Sequence, residues 1–131
     1  MCLQIHSCHF KDGEPVPRMD NRPIEVYKVL RVPDFLSGPF TTPHQGIPVR
    51  FGDCHTCIQR AKLQVKHGVY NAFYVDRGIH AWRTKSAAQY FIQHRDAFTK
   101  YAVFKSIIPA GVKYFLGEDG DIVSEKLIIN K

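Results

Sequence analysis

Four cysteines have the residue type, and two of them the spacing, that zinc binding requires. Cys54 and Cys57 form a Cys-x-x-Cys pair, and Cys2 and Cys8 lie in the N-terminal segment. Two thiolates separated by two residues can bind one zinc ion, and a tetrahedral site needs a second pair of ligands. These four residues are therefore a candidate zinc site, which would anchor an N-terminal segment with little core of its own. A redox pair, a disulfide and ordinary reduced thiols are the alternatives.

Cys2 has a second interpretation, because it directly follows Met1. Removal of Met1 would leave Cys2 with a thiol and a free α-amine, which are the groups that N-terminal-nucleophile amidohydrolases use. Those enzymes need a large four-layer fold, and a chain of 131 residues is short for one.

Three polar residues on predicted strands are the candidates for catalysis. His80 lies within Gly-Ile-His-Ala-Trp, and Arg31 ends the first clear strand. Glu125 shares a strand face with Val123 and Leu127, where a carboxylate can line the mouth of a cleft. A histidine and a carboxylate in one pocket can transfer protons near neutral pH. The alternatives are a histidine bonded to the backbone in the core and an edge-strand glutamate paired with a lysine.

Hydrophobic periodicity predicts the elements that must position these residues. Apolar residues recur every three or four positions after Thr84, which can cap the first turn, and this spacing predicts a helix over residues 84–100. Alternation and apolar runs between Gly and Pro residues predict strands. The predicted strands are residues 24–31, 69–75, 79–82, 101–108, 112–116 and 121–129.

These elements predict an α+β fold. We expect a bent, mostly antiparallel sheet of five to seven strands, packed on one main helix over about residues 84–100. The length indicates a single domain over residues 1–131. Within it, residues 1–23 form an irregular, Pro-rich segment and residues 24–131 form the α+β core. The long Gly- and Pro-rich loop over residues 33–48 is a candidate contact surface for a protein partner.

Composition narrows the class of protein. The chain carries a net charge of +6, so a basic surface could contact nucleic acid, although its cationic residues are scattered. It has no Walker loop, dinucleotide fingerprint, Gly-x-Ser-x-Gly or His-Glu-x-x-His motif, which argues against the enzymes that use them. No apolar run is long enough for a membrane span, and no secretory signal is recognisable. We therefore expect a cytoplasmic protein with no membrane partner.

Two resemblances bear on the origin and function of the chain. The segments GIHAW and IIPAGVKYF, with the N-terminal Met-Cys-Leu, resemble those of small uncharacterised bacterial and phage, prophage or mobile-element proteins. The order of Arg31, His80 and Glu125 also resembles, at the level of the fold, the ADP-ribosyltransferase superfamily, which implies NAD bound in a cleft. The chain lacks that superfamily's Ser-Thr-Ser and its paired glutamates.

Three classes of function follow. The first is a small non-enzymatic binding or accessory protein of phage or mobile-element type, which uses the loop 33–48 and the basic surface to contact a partner. The second is a small enzyme with an ADP-ribosyltransferase-like cleft near His80, Glu125 and Arg31. The third is a zinc-stapled module that binds nucleic acid through its positive charge.

Overall fold

The protein is built mostly from antiparallel strands. The computed structural model describes residues 3–5, 8–35, 38–43 and 45–131. Strands and bridges make up 49% of what it describes, and helix makes up 9%. The prediction of an α+β fold with one main helix is therefore wrong. Within the described residues there is one α-helix, α1 (Lys85–Gln93), and its nine residues fall well short of the predicted span of about 84–100.

The helix ends early because Asp96 turns the chain. The Asp96 carboxylate accepts hydrogen bonds from Phe98 N at 2.8 Å and from Thr99 Oγ1 at 3.0 Å, and these bonds lower its pKa. An aspartate that binds nearby backbone amides offers the chain an alternative to helical hydrogen bonding. Phe98, which has helical spacing in the sequence, is consequently 96% exposed.

The start of α1 is capped as the sequence predicts, since Thr84 Oγ1 accepts a hydrogen bond from Ala87 N at 3.1 Å. We expect Thr84→Ala to lower the free energy of unfolding by about 1 kcal/mol, because a first-turn amide loses its partner. Urea unfolding measures this change. Gln89→Ala, an exposed substitution in the same helix, is the control and should change stability by less than about 0.5 kcal/mol. Equal losses in the two variants would contradict the capping role.

Fourteen strands are assigned within the described residues, many of them only two to five residues long. In chain order, β1 to β14 are Leu3–Gln4, His9–Lys11, Glu14–Val16, Ile24–Arg31, Phe40–Thr41, Pro48–Val49, Thr56–Arg60, Gln64–His67, Phe73–Arg77, Ile79–Trp82, Tyr101–Ile108, Tyr114–Leu116, Asp121–Ser124 and Lys126–Asn130.

The strands form a large sheet, a small sheet and a hairpin. Seven strands of the large sheet run in the order β12-β13-β10-β4-β11-β14-β7, and β5 and β6 extend it from β4. The small sheet has the order β1-β9-β8, and β2 pairs with β3. The central pair, β4 and β11, is antiparallel over eight residues, from Arg31 opposite Tyr101 to Ile24 opposite Ile108. Every strand pair between these elements is antiparallel.

The large sheet is covered on both faces, and β4 shows this most clearly. Val26 and Leu30 on one face are fully buried in the main core cluster. Val29 on the other face packs with Trp82 and with Ala88 of α1. Because side chains alternate along a strand, Lys28 shares the face of Val26 and Leu30, and a charged side chain therefore points into the main core side of the sheet.

The N-terminal segment, which the sequence predicts to be irregular, contributes β1 and the β2–β3 hairpin. Tyr114 of β12 ties the end of this segment to the large sheet. Its hydroxyl donates a hydrogen bond to Asp20 Oδ1 at 2.7 Å, and backbone bonds join Arg18 and Tyr114 in both directions. Burial, reinforced by the hydrogen bond to Asp20, raises the pKa of Tyr114 to about 12.

We expect Tyr114→Phe to lower the free energy of unfolding by about 1 kcal/mol, because a hydrogen bond to a carboxylate is lost while the ring stays in place. Tyr70→Phe is the matched control, since Tyr70 is 98% exposed. Chemical denaturation of both variants checks the prediction. A Tyr114→Phe protein as stable as the wild type would show that the Asp20 contact contributes nothing.

Gly78 joins the small sheet to the large one. It lies between β9 and β10, so that one stretch of chain leaves one sheet and enters the other. Its φ of 151° lies in a region that residues with a side chain rarely adopt. A Cβ atom there would overlap Val123 Cγ1 and approach Leu63 Cδ2 to 2.8 Å. Glycine is thus needed both for the bend and for the close packing beside it.

Candidate functional site

A cavity of about 530 Å³ opens where β10 diverges from β4. Of the residues in these two strands, Trp82 and Tyr27 are the one pair in register. Further along β10, the Lys28 ammonium group donates a hydrogen bond of 2.6 Å to the backbone oxygen of His80. A side chain therefore bonds β10 to β4 where the backbone pairing has ended. The walls of the cavity come from β4, the turn between β5 and β6, the end of β7 and the bend from β9 into β10.

The turn between β5 and β6 is held in place from two sides. Phe40 packs edge-on against Phe51 and Phe104, with ring centroids 5.8 Å and 5.2 Å apart. Arg95 Nη2 donates a hydrogen bond to the backbone oxygen of Pro43 at 3.2 Å. Part of the loop predicted to contact a partner thus forms a wall of the cavity. His44, within that loop, lies outside the described residues.

Lys28 is the most unusual group in this cavity. The residue is 4% exposed, and it forms no ion pair with any carboxylate that the structure describes. Burial in apolar surroundings disfavours the charged ammonium form. This desolvation lowers the pKa of Lys28 from 10.5 to about 8.

Asp76 lines the same cavity from the bend between β9 and β10. One of its carboxylate oxygens, Oδ1, is buried and has no hydrogen-bond partner among the described residues. Buried polar atoms in folded proteins nearly always have a partner, so an orphaned oxygen beside a cavity is well placed to accept a hydrogen bond from a ligand. Asp76 and Lys28 are not an ion pair with each other.

His80 lines the cavity with a carboxylate beside it. Its Nε2 lies 3.4 Å from Asp121 Oδ2, and the two side chains are 22% and 10% exposed. Asp121 Oδ1 is buried without a hydrogen-bond partner in the described part of the chain. A carboxylate at this distance orients the imidazole. Because side chains alternate along β10, the imidazole shares the face of Trp82 and Val29, whereas Lys28 lies on the face of Ile79 and Ala81. The part of His80 that contacts Lys28 is therefore its backbone oxygen, and the His80–Asp121 pair lies on the other side of the strand.

The charge of the cavity is positive on balance. Arg60 and Arg77 are exposed residues that also contribute to its lining. Among the described lining residues there are thus three cationic side chains, with Lys28, against the carboxylate of Asp76. A concave surface of one sign concentrates the field and attracts ligands of the opposite sign. The cavity can thus attract an anion from solution and offer it a buried cation.

The structure does not bring the three predicted catalytic residues together. His80 lines the cavity described above, whereas Glu125 lines a second, more open cavity of about 650 Å³ at the turn between β13 and β14. Arg31 is exposed at the end of β4, with its guanidinium 3.9 Å from Asp34. Their joint role in catalysis stays a prediction, and the carboxylate in contact with His80 is Asp121.

The described candidate zinc ligands do not line this cavity. Cys8, Cys54 and Cys57 are free thiols, and burial raises the pKa of Cys8 and of Cys57, which disfavours the thiolate that binds metal. Among the described residues, no three His, Cys, Asp or Glu side chains are grouped closely enough to hold a metal ion. Cys2 lies outside those residues, together with its predicted role at the N-terminus. The zinc site stays a prediction.

Sequence reasoning missed Lys28, Asp76 and Asp121. A signal existed for Lys28, because it is the one charged residue in phase with Val26 and Leu30 on an otherwise apolar strand face. Asp76 and Asp121 gave no comparable signal, since an aspartate beside a glycine turn is most often a turn residue. Their importance depends on burial and on contacts between distant segments.

Comparison with known proteins does not assign the chain to a family. No family model matches the chain, and no curated protein or solved structure matches it either. The resemblances to phage-type proteins and to ADP-ribosyltransferases therefore stay predictions. In the part of the chain that the structure describes, no helix has the length and apolar character needed to cross a membrane.

Proposed function

We propose that this protein binds a small organic anion in the cavity beside Lys28. The proposal belongs to the class of non-enzymatic binding proteins, with a small molecule as the partner. The observation that carries it is a lysine ammonium group that is buried at a cavity wall and has no carboxylate as an ion-pair partner among the described residues. An anionic ligand would supply the missing counter-charge.

The energetics favour an anion at this place. A charge removed from water costs several kcal/mol unless a partner compensates it, and the described contact of the Lys28 ammonium group is the hydrogen bond to the His80 carbonyl. With a pKa of about 8, roughly nine-tenths of the Lys28 side chains are still protonated at pH 7. An anion bound beside the ammonium group would compensate this desolvation cost. Part of the binding free energy would therefore come from the cost that the free protein already bears for burying the Lys28 charge.

The size and lining of the cavity favour a small molecule. A volume of about 530 Å³ falls within the range of known ligand pockets. Thr42 and Gln59 add neutral polar groups, while Ile47 and Ile79 add apolar surface. A carboxylate or phosphate attached to a small organic body matches this combination of a buried cation, polar groups and an apolar wall.

The test is a thermal-shift series with acetate, lactate, succinate and phenyl phosphate at constant ionic strength, each compared with its uncharged alcohol or amide analogue. We expect at least one anion to raise the Tm of the wild-type protein and its uncharged analogue to have no effect. The same anion should have no effect on Lys28→Met.

Lys105→Met is the control, because Lys105 is exposed and pairs with Glu25 at 3.3 Å on the surface. This variant should keep the full shift. Equal shifts in the wild type and Lys28→Met would overturn the proposal, and so would the absence of any shift across the series. Calorimetric titration with the most effective anion then gives the affinity.

A further inference from the structure

We propose that the Lys28 amine condenses reversibly with the carbonyl group of a small 2-oxo acid held in the cavity, forming an imine. This inference rests on the proposed function, because the carboxylate of the 2-oxo acid is the anion that the cavity takes. It adds a covalent step and a ligand class, namely a carboxylate with an adjacent aldehyde or ketone.

The position of the amine supports the reaction. Lys28 lines the cavity, and its backbone lies in a strand paired on its whole length with β11, so the side chain projects from a rigid support. Its hydrogen bond of 2.6 Å to the His80 carbonyl fixes the nitrogen at the cavity wall. That bond uses one N–H group, and the structure shows no further hydrogen-bond partner for the Lys28 nitrogen among the described residues.

The cavity also holds a group that can move protons. Asp76, whose Oδ1 is buried without a hydrogen-bond partner among the described residues, belongs to its lining. Imine formation needs proton transfer to the carbonyl oxygen and from the nitrogen, and a single carboxyl group can accept a proton in one step and return it in the next. The Lys28 ammonium group first pairs with the carboxylate of the 2-oxo acid, and Arg60 and Arg77 are the cations that can hold this carboxylate when Lys28 loses its proton and attacks the carbonyl group.

The step balances without an oxidant or a reductant. The lone pair of the neutral amine attacks the carbonyl carbon, an N–C bond forms, and the carbonyl oxygen takes a proton to give a carbinolamine. The nitrogen gives up a proton to a neighbouring base. The hydroxyl group then takes a proton and leaves as water, while the nitrogen lone pair forms the C=N bond. This gives a protonated imine and one water molecule. Loss of the remaining N–H proton to the same base gives the neutral imine and returns the proton that was consumed.

Burial makes the reactive form of the amine available near neutral pH. A neutral amine is required as the nucleophile, and desolvation is the usual way to obtain one from a lysine. With the pKa of Lys28 at about 8, its neutral fraction at pH 7 is about 300 times that of an amine with a pKa of 10.5. We therefore expect Lys28 to react far faster than the exposed lysines.

The experiment traps the imine with sodium cyanoborohydride. The full-length protein is incubated with glyoxylate or pyruvate at pH 7, and peptide mapping by mass spectrometry then locates the reduced adduct. We expect Lys28 to be modified at least about tenfold faster than any other lysine. Lys28→Arg keeps the charge but cannot form an imine, so it should show no fast adduct, whereas Lys105→Arg should react as the wild type does.

A parallel titration separates this inference from the proposed function. Lactate has the carboxylate but no carbonyl group, so it reports anion binding alone. If lactate and pyruvate bind the wild type but no preferred adduct forms at Lys28, the imine is refuted and anion binding stands. If neither binds and the slow adducts are spread over exposed lysines, both ideas are overturned. The map of the wild-type protein decides the covalent step even if the arginine variant does not fold.

Discussion

Between pH 7 and pH 9.5, the wild-type protein should gain about 2 kcal/mol of stability relative to the Lys28→Met variant. The reason is the difference between the pKa of Lys28 in the folded chain, about 8, and its ordinary value of 10.5 in the unfolded chain. Below pH 8 both states carry the proton, and the folded state bears the full cost of a buried charge, about 3 kcal/mol. As the pH rises from 8 towards 10.5, the folded protein releases the proton first and that cost disappears.

Urea unfolding at intervals of half a pH unit measures this effect. Tyr114 acts in the opposite direction at higher pH, because its pKa is raised to about 12 and the folded state keeps its proton longest. Its contribution to stability is therefore lost as the pH rises above about 10. The difference between the wild type and Lys28→Met removes this effect, since both contain Tyr114. If the difference in free energy of unfolding between the two proteins stays constant from pH 7 to pH 9.5, burial does not lower the pKa of Lys28.

Gly78→Ala should lower the free energy of unfolding by about 3 kcal/mol. Two effects contribute: a positive φ that alanine adopts only with strain, and a Cβ atom that overlaps the buried Val123 and crowds Leu63. Because Gly78 separates Asp76 from His80, we also expect the ligand-induced thermal shift to be lost or much reduced.

Gly52→Ala is the matched control for this substitution. The nearest atom to a Cβ at Gly52 is Thr56 O at 3.8 Å, which is an ordinary contact. That variant should be within about 1 kcal/mol of the wild type and should keep the ligand response. If Gly78→Ala were as stable as Gly52→Ala, the bend would not depend on glycine.

Part of the fold could be predicted because local patterns were strong. The strands at residues 24–31, 79–82 and 101–108 are confirmed with their predicted bounds. Each combines β-branched or aromatic residues with a clear boundary, such as Pro33 after β4. The predicted last strand is divided at Glu125, whose backbone amide bonds to Lys113 O and lies between β13 and β14.

The predicted fold class is wrong for two physical reasons. Asp96 turns the chain where the apolar spacing continues as far as Phe98, so periodicity alone overstates the helix. The strands β5 and β6 have two residues each, which is too few to show alternation, and β5 exists because the longer β4 offers it an edge to pair with. Such pairing is a tertiary property that a single sequence does not display.

The site is harder to predict than the fold, because its residues are far apart in the chain. Lys28 meets the His80 carbonyl across 52 positions, and His80 meets Asp121 across 41. Only the register of β4, β10 and β13 brings them together. His80 is the one residue of this group that the sequence indicates, and the sequence pairs it with the carboxylate of Glu125 rather than that of Asp121.

The most direct test of the central claim is the titration of Lys28 followed by NMR of lysine labelled at the ε-carbon, with Lys28→Met used for assignment. We expect a midpoint near pH 8 in the free protein, and a higher midpoint once the most effective anion of the thermal-shift series is bound, because a counter-ion favours the charged form. A midpoint near pH 10.5 that does not change when the anion is added would contradict the claim that Lys28 is a buried cation that binds an anionic ligand.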